Sequence, residues 1–237
     1  MSEPVDFPTN LTYPDAGSKL NSFDKCESTG RKMIERRLWE DAWNGLGVLP
    51  PHDLLAQLIA RYSEPGRAYH TLQHLRECFD QLAPASALTT RLSEAQLALW
   101  FHDAIYDTHA QDNEERSANW ARESLCAAGV SVETAEHVRE LVMATRHNAL
   151  PKEPDARLVV DIDLSILAAP TERFTEYEKQ IRAEYSWVTE PSYREGRARI
   201  LASFLGRRCI YSTPWFYERL EERARENLLR SLQGLAF

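Results

Sequence analysis

Several features that mark particular protein classes are scarce in this chain. Its 237 residues include only nine glycines and four cysteines, and the cysteines are far apart, with no CxxC pair: Cys26, Cys78, Cys126 and Cys209. This spacing argues against a zinc ribbon or a disulfide scaffold and favours a protein of the reducing cytoplasm. No apolar run approaches the roughly 20 residues that a membrane span needs, so we expect no membrane partner.

Basic charge is also in deficit. The chain has 28 lysines and arginines against 36 aspartates and glutamates, which gives a formal net charge of −8. General nucleic-acid binding needs a basic surface, so we do not expect it here, although a local basic pocket is compatible with this composition. Hydrophobic residues make up 43% of the chain, enough for a sizeable core.

The first 30 residues differ in composition from the rest. They are rich in Ser, Pro, Asp, Asn and Gly, and they lack the charged-then-apolar layout of a signal peptide. We therefore expect residues 1–30 to be a flexible N-terminal extension. Residues 31–237 contain no fixed repeat and no long linker, so we expect them to form one domain.

Helical signals dominate this predicted domain, and few alternating segments indicate strands. The apolar periodicity, together with capping and breaking residues, predicts an all-α fold. The predicted helices are Arg31–Trp43, His52–Tyr62, Tyr69 to about Leu82, Ser93 to about Tyr106, Asp112 or Asn113 to Gly129, Ser131 to about Thr145, Ala156–Leu167, Thr171–Tyr185, Pro191–Leu205 and Pro214–Leu232.

A polar pair, His102-Asp103, interrupts the apolar segment Leu97–Asp107. Burying an ionised carboxylate without a partner is costly, so a partner is expected. A divalent metal ion could use both side chains at once. The alternative is a His and an Asp at the edge of a helix, each hydrogen-bonded to its neighbours.

Two other segments carry potential metal ligands. His70 and His74 lie four residues apart on a predicted helix, where they share a face. Asp161 and Asp163 lie in an otherwise apolar helix, and buried acids need an ion pair or a metal. A salt bridge to arginine could account for one of the two aspartates. Four nitrogen and oxygen donors on separate helices suit a hard or borderline divalent ion.

These residues, in this order, resemble the HD superfamily of metal-dependent phosphohydrolases, and more closely a bacterial subfamily of predicted HD phosphohydrolases. The resemblance covers roughly residues 33 to 232 and implies an HD-domain helical bundle, a divalent metal ion and hydrolysis of a phosphate ester. The motifs that carry it are Arg67-x-Tyr69-His70-x-x-x-His74, Phe101-His102-Asp103-x-x-Tyr106-Asp107, Asn113-Glu114-x-x-Ser117, Thr145-x-His147, Asp161-x-Asp163-Leu164-Ser165-x-Leu167, Ile181-Arg182-x-Glu184-Tyr185 and Gly196-Arg197.

The resemblance also implies roles for the two histidines of the first motif. The segment is similar to that of the cyclic-nucleotide phosphodiesterases, in which the second His binds metal and the first donates a proton. Carried over, His74 is a metal ligand and His70 is the general acid. With His74, the resemblance implies His102 and Asp103 as further ligands.

The last ligand is either Asp161 or Asp163, because neither fits the usual HD pattern cleanly. We favour Asp163, which shares a helical stripe with Val159, Ile162 and Ile166 on the expected core-facing side.

Other residues have two interpretations each. His147 could bind a second metal, or it could be a loop histidine that interacts favourably with a helix end. Glu114 could position the attacking water, or it could be an acid of a first helical turn that the helix dipole stabilises.

Three arginines are candidates for contacts with a phosphate, because guanidinium groups match phosphate oxygens in pairs: Arg67, Arg182 and Arg197. Tyr185 is a candidate for lining the pocket.

The sequence therefore predicts a metal-dependent phosphohydrolase that acts on a small phosphorylated molecule, such as a nucleotide. We expect one or two divalent ions per chain, from the set Mn, Mg, Co, Ni, Zn and Fe. Two alternatives stay open, a non-catalytic nucleotide-sensing module and a di-iron oxygenase. The sequence does not give the oligomeric state, and a homodimer is compatible with it.

Overall fold

The structure, a computed structural model, describes residues 35–235. The chain divides into two units, 1–37 and 38–237, and every site discussed below lies in the second. The predicted flexible extension, residues 1–30, and the predicted domain start at residue 31 both lie outside the described residues.

The described part of the chain is all-α, as predicted, and contains no strand. One helix covers residues 35–44 (α1). The others are α2 (Leu54–Arg61), α3 (Leu72–Ala85), α4 (Leu92–Phe101), α5 (Asn113–Ala127), α6 (Val132–Ala144), α7 (Pro154–Asp163), α8 (Thr171–Glu184), α9 (Glu190–Leu205) and α10 (Pro214–Leu235), with 3-10 turns at Ser86–Leu88 and Leu164–Ala168.

Helix α4 lies at the centre of the fold. Its residues Leu97–Phe101 are all fully buried, and it packs against α3, α5, α6 and α7. A helix that is apolar on every face is stable only when neighbours cover every face. The chain that leaves the C-terminal end of α4 therefore starts inside the molecule, and this is where His102 and Asp103 lie.

The predicted bounds of two helices are wrong near these residues. Helix α4 ends at Phe101, so His102 and Asp103 occupy the turn after it, where Ala104 N donates to Phe101 O over 2.9 Å. Helix α3 begins at Leu72, because the Thr71 hydroxyl caps it by accepting from Gln73 N.

The later start of α3 corrects the prediction that His70 and His74 share a helical face. His70 precedes the helix, and only His74 is helical.

The predicted helix Ala156–Leu167 also differs in the structure. The α-helical part starts earlier, at Pro154, and stops at Asp163, and Leu164–Ala168 continue as a 3-10 turn. Two end signals are confirmed. Ser131 caps α6 by accepting from Thr134 N, and Gly129, with φ +86°, follows the end of α5.

None of the helices in the described range is long and apolar enough to cross a membrane.

Replacing Leu99, fully buried in α4, with Ala tests the central position of this helix. We expect Leu99→Ala to lower the free energy of unfolding by about 2–5 kcal/mol, the usual cost of a cavity in a packed core. Leu92→Ala is the matched control on the same helix, since Leu92 is 36% exposed. Urea denaturation measures both, and equal effects of the two substitutions would contradict this picture of α4.

Candidate metal centre

Four side chains from three segments converge at the end of α4. The Nε2 atoms of His74 and His102 are 3.0 Å apart. Asp103 Oδ2 lies 3.0 Å from His102 Nε2 and 3.5 Å from His74 Nε2. Asp163 Oδ1 lies 3.1 Å from His74 Nε2 and 3.6 Å from His102 Nε2. The structure thus brings together the four residues predicted as metal ligands.

These spacings fit a shared metal ion. Two donors with metal bonds of about 2.1 Å lie roughly 3.0–3.4 Å apart when the angle between them is that of an octahedral or tetrahedral site. The observed separations of 3.0–3.6 Å scatter around this range. Donor chemistry agrees, since imidazole nitrogen and carboxylate oxygen together suit Mn, Fe, Co, Ni and Zn.

The outer nitrogens of both histidines are held so that the inner ones can coordinate. His102 Nδ1 donates to Leu99 O over 2.7 Å. Because a carbonyl only accepts, the proton of the neutral ring is on Nδ1 and Nε2 carries the lone pair. Tyr69 Oη lies 2.9 Å from His74 Nδ1 and can accept its proton, which frees Nε2 of His74 in the same way. Metal-bound histidines in proteins usually have such partners.

The electrostatics favour a positive charge at the centre. Burial lowers the pKa of His102, but the Asp103 carboxylate and then Asp163 outweigh it and raise the pKa to about 9. Burial raises the pKa of Asp103 and Asp163, yet the neighbouring histidines hold both well below their usual range. Both carboxylates are therefore ionised, and a proton or a metal ion must balance them.

Cys78 is a buried neighbour of the centre. Its Sγ lies 3.7 Å from His74 Nε2, and its position would allow it to join His74, His102 and Asp163 around an ion. Burial raises the pKa of this thiol well above its usual value, so an ion would have to displace its proton before Cys78 could bind it as a thiolate.

Arg67 holds the backbone on either side of the centre through hydrogen bonds to carbonyl groups. Its side chain is 2% exposed. Its guanidinium donates to the carbonyl oxygens of Asp103, Ala104 and His70 over 2.6, 3.1 and 3.3 Å. It therefore ties the turn after α4 to the segment before α3. Its predicted role as a phosphate contact is wrong, because these carbonyls and Glu64 already occupy its donors.

His70 is held by a carboxylate that the sequence analysis did not single out as functional. His70 Nδ1 lies 2.8 Å from Glu184 Oε2. Burial lowers the pKa of His70, but the Asp103 and Glu184 carboxylates outweigh it and raise the pKa. Nδ1 is taken by Glu184, so Nε2 is the ring nitrogen left for the adjoining cavity, which His70 lines. Tyr106 stacks on the ring at 4.0 Å.

Glu184 itself is nearly buried, with 5% exposure. Its Oε1 accepts from the backbone N–H groups of Ala68, Tyr69 and His70 over 2.8, 2.7 and 3.0 Å. Its Oε2 also accepts from the Tyr106 hydroxyl. Burial raises the pKa of Glu184, but the hydrogen bond and the charge of His70 lower it to about 2. The ionised carboxylate thus fixes both the backbone and the ring of His70.

The two aspartates of α7 face different partners. Asp163 faces the histidines of the centre. Asp161 is fully buried elsewhere, where it accepts from Ser212 N, Thr213 N and the Thr213 hydroxyl over 2.8, 2.7 and 2.7 Å. It thereby holds the start of α10, and burial raises its pKa to about 6. Asp161 as a metal ligand is therefore wrong, because its oxygens are engaged outside the group of converging donors.

His147 reaches Asp163 from the other side. Its Nε2 lies 2.8 Å from Asp163 Oδ2, the oxygen that faces away from His74. Its backbone has φ +57°, a left-handed conformation that costs a non-glycine residue about 1–2 kcal/mol. Arg207 donates to the His147 carbonyl over 2.8 Å and helps to hold this conformation. Asp163 thus contacts His74 through Oδ1 and His147 through Oδ2. A carboxylate that linked two neighbouring metal positions would have contacts of this kind.

A cavity of about 680 Å³ opens beside the centre. Its polar wall contains His70, Asp103, Glu114, His147 and Asp163. This volume is typical of small-molecule sites. Glu114 is half-buried and makes no hydrogen bond or ion pair within 35–235, so its carboxylate is available to the cavity. Another part of the lining is aromatic: Tyr69, Tyr106, Tyr177, Tyr185, Tyr193 and Phe204.

The remaining predicted substrate contacts have different positions. Tyr185 lines the cavity, as expected. Arg197 also lines it, but the guanidinium is buried and paired with Glu178. Arg182 does not line it, because it donates to Tyr185 O, Val188 O and Glu190. The predicted phosphate contact by Arg182 is therefore wrong.

Two arginines that the sequence analysis passed over line the cavity instead. Arg146 donates to Gln111 O over 3.1 Å, and Arg207 stacks on Phe204 at 4.4 Å. Among the described residues, neither forms an ion pair with a carboxylate. They are therefore the positive charges of this cavity that remain open to an anion. The predicted helices end at about Thr145 and at Leu205, so both arginines follow a predicted helix end, but the sequence did not show that these positions lie beside the cavity.

The comparisons with known proteins do not add a family. No protein-family model matches the chain, and searches of curated proteins and of solved structures found no match. The geometry of the site therefore carries the functional argument.

Proposed function

We propose that this protein is a metal-dependent phosphohydrolase of the HD type that cleaves a phosphate ester of a small molecule. The observation that carries the proposal is the convergence of His74, His102, Asp103 and Asp163 on one side of a cavity that also contains a carboxylate-held His70. A hydrolase of this kind needs both the group of metal ligands and a proton donor such as His70. A module that only binds a nucleotide has no use for the proton donor.

The four converging residues would hold the ion. A divalent ion bound there supplies a water of lowered pKa and polarises a phosphoryl oxygen. Asp103 and Asp163 provide the negative charge that retains it, and the Nδ1 contacts of the two histidines keep both Nε2 atoms turned inward. Glu114 makes no hydrogen bond or ion pair with the described residues, so its carboxylate can accept a hydrogen bond from water in the cavity.

His70 would protonate the leaving oxygen. Its raised pKa keeps the ring protonated at a higher pH than an isolated histidine, as a general acid requires. Glu184 holds Nδ1, so the proton to be donated is on Nε2.

The cavity also suits the rest of such a substrate. Arg146 and Arg207 can neutralise phosphate oxygens, since no carboxylate in the described chain pairs with them. The aromatic wall offers stacking surfaces for a planar group such as a nucleobase. These features support a substrate that combines a phosphate with an apolar or aromatic part.

Metal analysis combined with a phosphatase screen tests the proposal. Protein purified without a tag is measured for bound metal and assayed on p-nitrophenyl phosphate, bis(p-nitrophenyl) phosphate and a nucleotide panel with each metal added back. We expect His102→Ala to lose the metal of this centre and turnover together, because Nε2 of His102 is central to the donor group.

The matched control is His52→Ala, which removes a histidine whose side chain is 97% exposed. If metal content and turnover both survive His102→Ala, the proposal is wrong. Nucleotide-induced shifts in melting temperature without turnover would favour the sensing module. Iron content with oxygen-dependent turnover would favour the oxygenase.

The two aspartates of α7 should give opposite phenotypes. Asp163→Ala should lose the metal and leave most of the free energy of unfolding of the chelated protein intact. Asp161→Ala leaves three donors at the start of α10 without an acceptor, so it should lower that free energy by on the order of 3 kcal/mol. It should still bind metal at temperatures where it is folded. Urea titration and metal analysis measure both, and metal loss in folded Asp161→Ala would reverse the assignment.

Glu184→Gln should change the pH dependence of the reaction. A general acid must be protonated, so activity falls as pH rises through the pKa of His70. The carboxylate of Glu184 raises that pKa, and removing its charge should move the alkaline limb of the kcat/KM profile to lower pH. We also expect a loss of kcat within the roughly 10²–10⁴-fold contribution of a general acid.

Bound metal should be unchanged in Glu184→Gln, which separates this effect from damage to the centre. Glu172→Gln, at an exposed position of the same helix, is the control and should leave the profile in place. An unmoved alkaline limb in Glu184→Gln would show that His70 does not act as this acid.

A further inference from the structure

A second buried histidine, away from the centre at the end of α4, has a ring nitrogen without a hydrogen-bond partner. His137, on α6, is 9% exposed, and its Nδ1 is hydrogen-bonded to Glu94 Oε2 at 2.5 Å. A carboxylate only accepts, so Nδ1 carries a proton. The other ring nitrogen, Nε2, is buried and has no hydrogen-bond partner. A buried polar atom without a partner is rare, because desolvating it costs about 1–3 kcal/mol.

Two acids at the start of α7 lie next to this nitrogen. Glu153 Oε2 is 3.9 Å from His137 Nε2 and also accepts from Ala156 N over 2.6 Å, which leaves Oε1 without a hydrogen bond among the described residues. One ligand atom from each of His137, Glu153 and Asp155 lies within 4.8 Å of the other two. Ligand atoms of a tetrahedral zinc ion lie about 3.4 Å apart, so these side chains would have to move closer by roughly 0.5–1.5 Å to bind one.

Asp155 is the residue of this cluster whose side chain is without a polar partner among the described residues. It is 7% exposed, and its side chain makes no hydrogen bond or ion pair with any residue in the described range. Three carboxylates, those of Glu94, Glu153 and Asp155, surround His137. The nearest cation to this group is Arg91, 3.9 Å from Glu94. Even with His137 protonated, the cluster keeps a net negative charge.

We propose that His137, Glu153 and Asp155 form a second metal site, separate from the centre at the end of α4, for a divalent ion of the zinc type. His137 supplies Nε2, and Glu153 and Asp155 supply carboxylate oxygens. One imidazole and two carboxylates are a familiar ligand set for zinc. Glu94 is a positioning residue, because its hydrogen bond to Nδ1 sets the tautomer that presents the Nε2 lone pair.

The site would join α6 to the start of α7, the helix whose last residue, Asp163, belongs to the first centre. His137 lies next to the start of α7, and His147, ten residues further on, lies next to its last residue, Asp163. An ion at His137 would thus fix α6 to the first turn of α7, and the His147–Asp163 contact joins the same two segments at the other end. We assign a structural role to this ion, since the four residues of its cluster are absent from the lining of the large cavity.

Zinc binding to the full chain tests the site without any assay of activity. The chelated protein is reloaded with zinc, dialysed and analysed for zinc per chain. His137→Ala and Asp155→Asn should each bind one zinc fewer than the unaltered protein, and both should lose the part of the zinc-induced rise in melting temperature that comes from this site. Glu94→Gln should retain the site but weaken its zinc affinity by about 10–100-fold, as for partners of metal-bound histidines.

The background His102→Ala keeps the two centres apart in this experiment. In that background, one zinc should remain bound, and adding His137→Ala should remove it. His52→Ala controls for zinc held by an exposed histidine. If folded His137→Ala binds as much zinc as the unaltered protein, there is no second site. Unchanged zinc content in His102→Ala would instead count against the first centre only.

Discussion

The burial of the C-terminal half of helix α4 on every side is the constraint on which the rest of this structure depends. Five consecutive fully buried residues, Leu97–Phe101, leave no face for solvent, so α3, α5, α6 and α7 must pack around this helix. The chain then continues from a buried helix end with His102 and Asp103. Polar side chains delivered to that place need partners, and those partners come from the surrounding helices, His74 from α3 and Asp163 from α7. Packing and chemistry are therefore joined at one point of the backbone.

Two buried charges of opposite sign hold the segment that faces this point. Arg67 donates to the carbonyl of His70 within this segment and to the carbonyl of Asp103 in the turn after α4. Glu184 accepts from the N–H groups of residues 68–70. In a low-dielectric interior such charge-assisted hydrogen bonds are strong, because water does not compete for the donors and acceptors. The segment before α3 has no regular secondary structure, so these two side chains replace the hydrogen bonds that a helix would have provided.

The sequence was sufficient for the fold class and for the members of the donor group. The apolar periodicity predicted helices. His102, Asp103 and Asp163 stood out because they interrupt apolar runs, and His74 stood out through its spacing from His70 and the resemblance to the HD superfamily. The choice of Asp163 over Asp161 followed from a helical stripe. The structure explains the difference, since Asp161 is fully buried but binds Ser212 and Thr213 at the start of α10, 51 and 52 residues away.

Helix ends and long-range partners were beyond the sequence pattern. The sequence predicted a helix to about Tyr106 because the pattern stays apolar there. In the structure α4 ends at Phe101, and Arg67 donates hydrogen bonds to the carbonyls of Asp103 and Ala104. Glu184 belonged to a quoted motif, but only its contact with His70, 114 residues earlier, reveals what it does. Arg182 and Arg197 were reasonable phosphate contacts by residue type. The structure engages them with carbonyls and Glu178, and it leaves Arg146 and Arg207 beside the cavity.

Tyr69 has a consequence for how the two halves of the site can move. Its backbone N–H binds Glu184, which holds His70, and its hydroxyl group contacts His74. A tyrosine side chain has a rigid ring between these two attachment points, so it acts as a spacer of nearly constant length. The proton donor and the metal ligand are thereby linked through one residue. A shift of α8 that carried Glu184 with it would displace His70 and His74 together, and their separation would be preserved.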